Sequence, residues 1–234
     1  MMAQNAPDTT RVLCIGNSFT YVAVAHEKLA EISLSQGHYL NMKAAYVGGH
    51  TFRRHLNDIK TISAIELANP YDEYAFVFLQ EQSQLHARYA MDPKRFSSVK
   101  ADTKELVAFV REYSPHAKVF LESTWSYDQN NFGQFGSYAN FDNLLRKGTA
   151  LLAKAAHTEV SPIGTAFAVV REERGDIDLY DKDRKHQCDY GSYLKACVNY
   201  LLMFGTKFDA NASDCGLDHE KCAYLRSVAE RVVL

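Results

Sequence analysis

The sequence predicts an α/β fold, a three-layer α/β/α sandwich around a five-stranded parallel sheet. Apolar runs of strand length alternate with helix-length amphipathic stretches along all 234 residues. The apolar runs are nearly continuous, which is typical of parallel strands covered by helices on both faces. Hydrophobic residues make up 47% of the chain, enough to fill the core of one domain of this length.

Five short apolar runs predict the strands, and residues 74–79 (YAFVFL) are the most strand-like of them. The other predicted strands are residues 11–15, 40–47, 117–121 and 158–163. The predicted helices follow the first strand up to Gly37, span 51–68, begin at Pro93, span 138–156 and 189–204, and close the chain from about 218. Residues 125–137, rich in Gly, Asn and Gln, are predicted to form a loop.

We expect one domain over residues 11–234, preceded by a disordered segment or leader remnant at 1–10. The first ten residues, MMAQNAPDTT, lack the charged start and apolar middle of a signal peptide. The Ala3-Gln4 pair before a polar linker nevertheless resembles the stub of a removed leader. This favours a periplasmic or secreted location, and a cytoplasmic one stays open.

Several classes of function are disfavoured by composition. The net charge is −2 and no Lys/Arg run is interleaved with aromatics, so we expect no nucleic-acid partner. No apolar stretch approaches the roughly 20 residues of a membrane span. Motifs typical of metal, nucleotide or dinucleotide sites are missing, so no cofactor and no metal are expected. Cys215 and Cys222 are close enough in sequence to leave a disulfide open, and the oligomeric state is not indicated.

Ser18 lies where the first predicted strand turns into a helix. Ligands of parallel α/β folds bind beyond the carboxyl ends of the strands, which makes this a place to look for chemistry. Serine is also a preferred helix cap, so a structural role is the alternative. A nucleophilic serine needs a histidine to accept its proton and a carboxylate to orient that histidine.

His186 and Asp183 are the best candidates for these two partners. They are three residues apart in a predicted loop before a late helix, so one turn could present each side chain to the other. Three further carboxylates in the same stretch, Asp176, Asp178 and Asp181, are alternatives to Asp183. His50 and His55, after the second strand, could also approach the site.

Three sequence blocks resemble those of the SGNH (GDSL-like) hydrolase superfamily. GNSFT resembles the first block, VGGHT the second, and DRKHQCDYGSYLKA the last, and they occur in the family order. The resemblance implies the flavodoxin-like SGNH hydrolase fold, with Ser18 as nucleophile and Asp183 and His186 as its partners. It also implies that Gly49 donates a backbone N–H to the oxyanion.

The third block departs from the family pattern. The superfamily usually has Gly-x-Asn-Asp after the third strand, whereas this chain has Gln80-Glu81-Gln82-Ser83. Gln82 falls where the asparagine is expected and could donate the same hydrogen bond from one methylene farther away. Gln80 is the alternative donor. The surrounding LQEQS is similar to a bacterial branch of the superfamily.

The resemblance implies a carboxylic ester hydrolase that uses a Ser-His-Asp triad. The predicted loop over residues 125–135 is aromatic and amide-rich, which suits a sugar and favours removal of short acyl (acetyl) groups from carbohydrate. A lipase or thioesterase of the same superfamily, or an inactive glycan-binding domain, are the alternatives. A flavodoxin-like nucleotide binder is disfavoured because the sequence has no phosphate-binding loop. The α/β-hydrolase fold is disfavoured because the G-x-S-x-G elbow is missing.

Overall fold

Five parallel strands form a single sheet at the centre of the protein. The computed structural model describes residues 9–69, 71–129 and 132–234. The strands are β1 Thr9–Gly16, β2 Tyr39–Tyr46, β3 Phe76–Leu79, β4 Lys118–Glu122 and β5 Glu159–Ser161. They pair in the order β2-β1-β3-β4-β5, each pair in parallel. The predicted five-stranded parallel sheet is therefore confirmed.

Ten α-helices connect and cover the strands of the described part of the chain. They are α1 Ser18–Tyr21, α2 Ala25–Ser35, α3 Phe52–His55, α4 Ile59–Glu66, α5 Leu85–Met91, α6 Ser97–Tyr113, α7 Tyr138–Ala156, α8 Ile163–Glu173, α9 Asp189–Phe204 and α10 His219–Val233. Two single 3₁₀ turns, Val22–Val24 and Gly133–Phe135, lie between them.

The core forms two apolar layers, one on each face of the sheet. Val12 and Cys14 of β1 point into the layer shared with α2, α8, α9 and α10. Leu13 and Ile15 point to the opposite layer, shared with α4 and α6. Successive strand residues face opposite sides, so a run with no polar position needs a helical cover on both. This confirms the three-layer sandwich.

The strand order places three loops at one edge of the sheet. The chain moves from β1 outward to β2, then returns past β1 to β3. All strands being parallel, the segments that follow β1, β2 and β3 leave from the same edge. The order reverses beside β1, and such a reversal opens a crevice between the departing loops.

Helix boundaries follow the prediction where apolar periodicity is long and uninterrupted. Residues 138–156 and 189–204 are helical as predicted. The predicted helix over 51–68 is wrong in one respect: it is two helices, because the Asp58 side chain accepts from Thr61 N–H and caps a new start. The long helix begins at Ser97, not at Pro93. Helices α5 and α8 were not predicted. The first has only seven residues, and the second begins at Ile163, which the predicted fifth strand over 158–163 included although β5 ends at Ser161.

The N-terminal prediction needs correction at its boundary. Residues 1–8 lie outside the described residues, whereas Thr9 and Thr10 belong to β1 and pair with Tyr39 and Leu40. The expected disorder therefore cannot extend to residue 10. At the other end of the chain, Cys215 and Cys222 are free thiols, so the disulfide left open by their spacing is not formed.

Membrane-spanning helices and metal-binding clusters are both absent from the described residues. None of the helices in ranges 9–69, 71–129 and 132–234 is long and apolar enough to cross a membrane. Over the same ranges, no group of three or more His, Cys, Asp or Glu side chains is arranged to hold a metal ion.

Candidate active site

Ser18 is the first residue of α1, directly beyond the carboxyl end of β1. Asn17 caps this helix, because its side-chain oxygen accepts from Phe19 N–H at 3.2 Å. The Asn17 amide nitrogen also donates to the His50 carbonyl at 2.9 Å, which ties the turn to the loop after β2. The helix cap is therefore Asn17, and Ser18 is left half-buried with its hydroxyl free for other contacts.

The buried Gln80 side chain holds the Ser18 turn through hydrogen bonds to the residues on either side of Ser18. Its side chain is 1% exposed, and its oxygen accepts from Asn17 N–H and from the Thr20 hydroxyl, both at 3.0 Å. Its amide nitrogen donates to the Glu81 carbonyl. At Gly16 a Cβ would lie 2.7 Å from the Thr20 hydroxyl and 2.9 Å from the Gln80 oxygen, so this packing requires glycine.

A buried ion pair lies behind the same turn. Lys195 of α9 donates to the Glu122 carboxylate at 2.6 Å, and each side chain is 2% exposed. The ammonium also donates to the Phe19 carbonyl at 3.2 Å and the Thr20 hydroxyl at 3.1 Å. Asn199 donates to the second Glu122 oxygen at 3.0 Å. Both charges are thus fully hydrogen-bonded, which is what allows them to be buried.

His186 and Asp183 lie in line with the Ser18 hydroxyl. His186 Nε2 is 2.8 Å from Ser18 Oγ, and His186 Nδ1 is 2.5 Å from Asp183 Oδ2. The Phe19 ring packs against the imidazole with centroids 4.9 Å apart. The three side chains of the predicted triad are therefore in direct contact, with the spacing that proton transfer needs.

The Asp183 carboxylate is shaped by its own loop. Its second oxygen accepts from the backbone N–H groups of Lys185 and His186, both at 2.9 Å. Partial burial acts to raise the pKa of Asp183, but these hydrogen bonds and the His186 ring outweigh it and lower the pKa. The carboxylate is thereby kept ionised next to the imidazole.

The three alternative carboxylates have other partners. Asp176 pairs with Arg174, and Asp178 with Arg184 at 2.6 Å. Asp181 accepts from the backbone N–H of Lys182. Asp181 also donates its backbone N–H to the His186 carbonyl at 2.8 Å, but none of the three carboxylates is bonded to the His186 ring. Asp183 is therefore the carboxylate at the imidazole.

The loop after β4 holds the Asp183–His186 segment in place. Trp125 Nε1 donates to the Lys185 carbonyl at 2.9 Å, and Gln129 donates to the Asp183 carbonyl at 3.0 Å. Arg184 has a positive φ of 57° and forms ion pairs with Asp128 and Asp178. A left-handed arginine is costly, and its two carboxylate partners offset that cost.

The predicted oxyanion donors have unused hydrogen-bonding capacity. Within the described residues, the N–H groups of Ser18 and Gly49 and the side-chain amide nitrogen of Gln82 have no acceptor. The Gln82 side-chain oxygen accepts from Gln84 N–H at 3.0 Å, which fixes the amide plane. Gln80, the alternative donor, uses both ends of its amide to hold the Ser18 turn. Of the two glutamines, Gln82 is the one free to bind an oxyanion.

Glu81 joins the two donor loops. One carboxyl oxygen accepts from Phe52 N–H at 3.0 Å and from Gln82 N–H at 2.7 Å, which connects the segment after Gly49 to Gln82 itself. Burial raises the pKa of Glu81 to about 8, against the lowering effect of these two hydrogen bonds. No role for Glu81 could be predicted from the sequence, since a strand-end glutamate has no motif of its own.

A cavity of about 610 Å³ opens beside the triad. Lys185, the neighbour of His186, and Gln84, two residues after Gln82, both line it. The remaining lining residues are Arg88, Tyr127, Gln129, Phe132, Gly133, Gln134, Phe135 and Phe141. The aromatic, amide-rich loop predicted from residues 125–135 thus forms much of the wall.

Trp125 differs from that prediction. It is 1% exposed and stacks between Phe167, at a centroid distance of 4.2 Å, and Phe19, at 5.1 Å. It therefore belongs to the core and is not a binding surface. Asn130 and Asn131 of the same loop lie outside the described residues. His50 does approach the turn, through its carbonyl contact with Asn17, but neither it nor His55 contacts Ser18.

Solved structures similar to this chain share its architecture at low sequence identity. A DUF4886 family protein from Bacteroides uniformis matches with a TM-score of 0.80 and 22% identity, over 97% of this chain and 95% of that one. A mutant acetyl-xylooligosaccharide esterase from Geobacillus matches with a TM-score of 0.60 and 14% identity, over 86% and 97%. A GDSL-like lipase candidate from Parabacteroides merdae matches with a TM-score of 0.58 and 14% identity, over 84% and 95%.

These matches establish the fold. The chain has the SGNH/GDSL-like hydrolase fold that its three sequence blocks predicted. No protein-family model matches the sequence, and no curated protein does so either. The activity therefore has to be argued from the side chains themselves.

Proposed function

We propose that this protein is a serine ester hydrolase that removes acetyl groups from carbohydrate. The observation that carries the proposal is the hydrogen-bonded line from Ser18 Oγ through the His186 ring to Asp183. A serine hydroxyl is a poor nucleophile until a positioned base accepts its proton. Acyl transfer is the chemistry for which this arrangement is suited.

The mechanism has two steps. His186 Nε2 takes the Ser18 proton as the hydroxyl attacks the ester carbonyl, and Asp183 stabilises the imidazolium that forms. The N–H groups of Ser18 and Gly49 and the Gln82 amide stabilise the oxyanion. His186 then protonates the leaving alcohol and later activates the water that releases acetate.

The carbohydrate part of the proposal rests on the cavity. Aromatic rings suit the C–H faces of a sugar, and the amides of Gln84, Gln129 and Gln134 suit its hydroxyls. Acetyl xylan esterases are among the proteins of similar fold. A lipase or thioesterase is the second candidate, favoured by the similar GDSL-like lipase candidate.

A substrate panel tests the proposal. Purified protein is assayed with p-nitrophenyl esters from acetyl to octanoyl and with acetylated sugars, with Ser18→Ala as the matched inactive variant. We expect acetate release from sugars and kcat/KM that falls with acyl length. Turnover equal in Ser18→Ala would remove Ser18 from the chemistry and overturn the proposed mechanism. No turnover by the wild type would indicate an inactive glycan-binding domain. A rise of kcat/KM toward octanoyl without acetate release from sugars would indicate a lipase or thioesterase.

A further inference from the structure

The cavity beside the triad has an unbalanced charge. Among its lining residues, two are cations, Arg88 and Lys185, and none is an Asp or Glu. The rest are aromatic rings, amides and one glycine. The two aspartates adjacent in sequence to lining residues are already paired, Asp128 with Arg171 and Arg184 and Asp142 with Arg146. Asp183, two residues from Lys185, is bound to His186 and to two backbone N–H groups.

Arg88 has no carboxylate partner within the described residues. Its guanidinium makes one hydrogen bond, from Nη2 to the Gln84 side-chain oxygen at 2.8 Å. Its Nε–H is buried and has no acceptor in that same part of the chain. Arg171, Arg184 and Arg226 by contrast each pair with an aspartate. A half-buried guanidinium with most of its donors unused is suited to an external anion.

Lys185 brings a second positive charge to the same wall. Its Nζ lies 5.7 Å from the centre of the Tyr127 ring, and it too lacks a carboxylate partner in the described ranges. Its backbone is held on both sides, since its carbonyl accepts from Trp125 and its N–H donates to Asp183. The Lys185 backbone is therefore fixed, and its Cα lies about 3.8 Å from the Cα of His186, as for any two consecutive residues. The ammonium extends from this fixed point.

We infer that the cavity binds an acidic sugar and that Arg88 and Lys185 recognise its anionic group. The inference rests on the proposed function for the reaction and adds the substrate class to it. With the ester at Ser18, the sugar ring would lie against Tyr127 and its carboxylate or phosphate would reach the two cations. A guanidinium fork binds either anion in a bidentate manner, and the ammonium adds a point charge.

Three matched substrates test the inference. They are an O-acetylated methyl hexuronide, the neutral hexoside with a hydroxymethyl group in place of the carboxylate, and the corresponding 6-phosphate. We expect kcat/KM for an anionic substrate to exceed that of the neutral one by about tenfold or more, the size of one charge-assisted hydrogen bond. The preference should shrink at high salt. The hexuronide and the phosphate arms identify which anion is recognised.

Variants connect that preference to the two cations. Arg88→Met and Lys185→Met should each lower the ratio of anionic to neutral kcat/KM by about tenfold. Lys182→Met is the control, because Lys182 is an exposed lysine of the same loop that does not line the cavity. Lys185 is partly exposed, so its variant stays informative if Arg88→Met fails to fold.

A binding measurement separates failure of this inference from failure of the proposed function. The three sugars are titrated into Ser18→Ala protein by calorimetry, with and without Lys185→Met. Turnover of the esters without any preference for charge, either in kcat/KM or in binding, would overturn the inference and leave the esterase standing. Charge-selective binding that depends on Lys185, in a protein that hydrolyses none of these esters, would support the inference and overturn the proposed function.

Discussion

The two halves of the candidate active site are held by opposite means. The Ser18 turn rests on a buried network in which Gln80, Glu122 and Lys195 are at most 2% exposed. Apart from the buried Trp125 at the Lys185 carbonyl, the His186 loop is held by partly exposed groups: the His186 and Asp183 side chains are 28% and 44% exposed. The difference teaches that the Ser18 turn is fixed by a dry, low-dielectric scaffold, whereas the charged contacts of the His186 loop lie where water and salt can reach them.

Removing one partner of the buried ion pair should have the largest effect on folding. Lys195→Met leaves the Glu122 charge buried without a cation, which we expect to lower the free energy of unfolding by about 3–5 kcal/mol. Chemical denaturation measures it. The double variant Glu122→Met/Lys195→Met is the control and should recover most of the loss. If Lys195→Met lowers the free energy of unfolding no more than a surface substitution does, the ion pair does not stabilise the Ser18 turn.

The two glutamines after β3 should separate scaffold from chemistry. Gln82→Ala should lower turnover by about 10²–10³ with little change in stability, because it removes one oxyanion donor. Gln80→Ala should instead lower the free energy of unfolding by about 1–3 kcal/mol, because the buried Asn17 N–H loses its acceptor. Turnover and denaturation are measured for both. The reverse pattern would exchange the assigned roles.

Glu81 makes the buried half sensitive to pH. Its pKa is raised from 4.5 to about 8 by burial, so its contribution to stability is complete below pH 4.5 and is lost as the pH rises toward 8. The difference in melting temperature between wild type and Glu81→Gln should therefore fall across that window. Lowered pKa values of His55 and His86 affect both proteins alike and cancel in the difference. A constant difference would contradict the shift.

The exposed half should respond least to mutation and most to salt. Arg184→Met removes ion pairs to Asp128 and Asp178, and partly exposed pairs contribute about 0–1 kcal/mol each. We expect a small loss of stability and a modest loss of turnover, with the wild type approaching the variant as salt is raised. Arg174→Met is the matched control, since its pair with Asp176 lies away from Asp128. If stability and turnover respond to salt equally in Arg184→Met and Arg174→Met, the ion pairs of the His186 loop are no different from other surface pairs.

The sequence predicts the fold for a physical reason. Apolar runs of strand length that alternate with helices favour parallel strands covered on both faces, and ligands of such sheets bind beyond the strand ends. The triad stays a prediction from the family resemblance, and the structure brings its three side chains into contact. The three blocks around Ser18, Gly49 and His186 then supply the residues. The supporting partners could not be predicted in the same way. Lys195 and Glu122 are 73 residues apart, and a lysine on an apolar helix carries no sign of the carboxylate it will meet.

The choice between the two candidate oxyanion donors also depends on tertiary contacts that the sequence does not show. The sequence favoured Gln82 as donor and left Gln80 as the alternative, and the hydrogen bonds of Gln80 to Asn17 and Thr20 are what separate the two. The Trp125 side chain, expected in a binding loop, is buried because Phe19 and Phe167 stack on both of its faces. In each case the deciding contact is tertiary and lies far away in sequence.

The contact between Ser18 and His186 closes a loop of 168 residues. Contacts so distant in sequence form late, after the chain entropy of closure has been met by the sheet and its helices. During synthesis Ser18 leaves the ribosome well before His186, which follows 168 residues later. The hydrogen bond therefore reports on completed folding, and refolding followed through it should lag behind refolding followed by backbone signals.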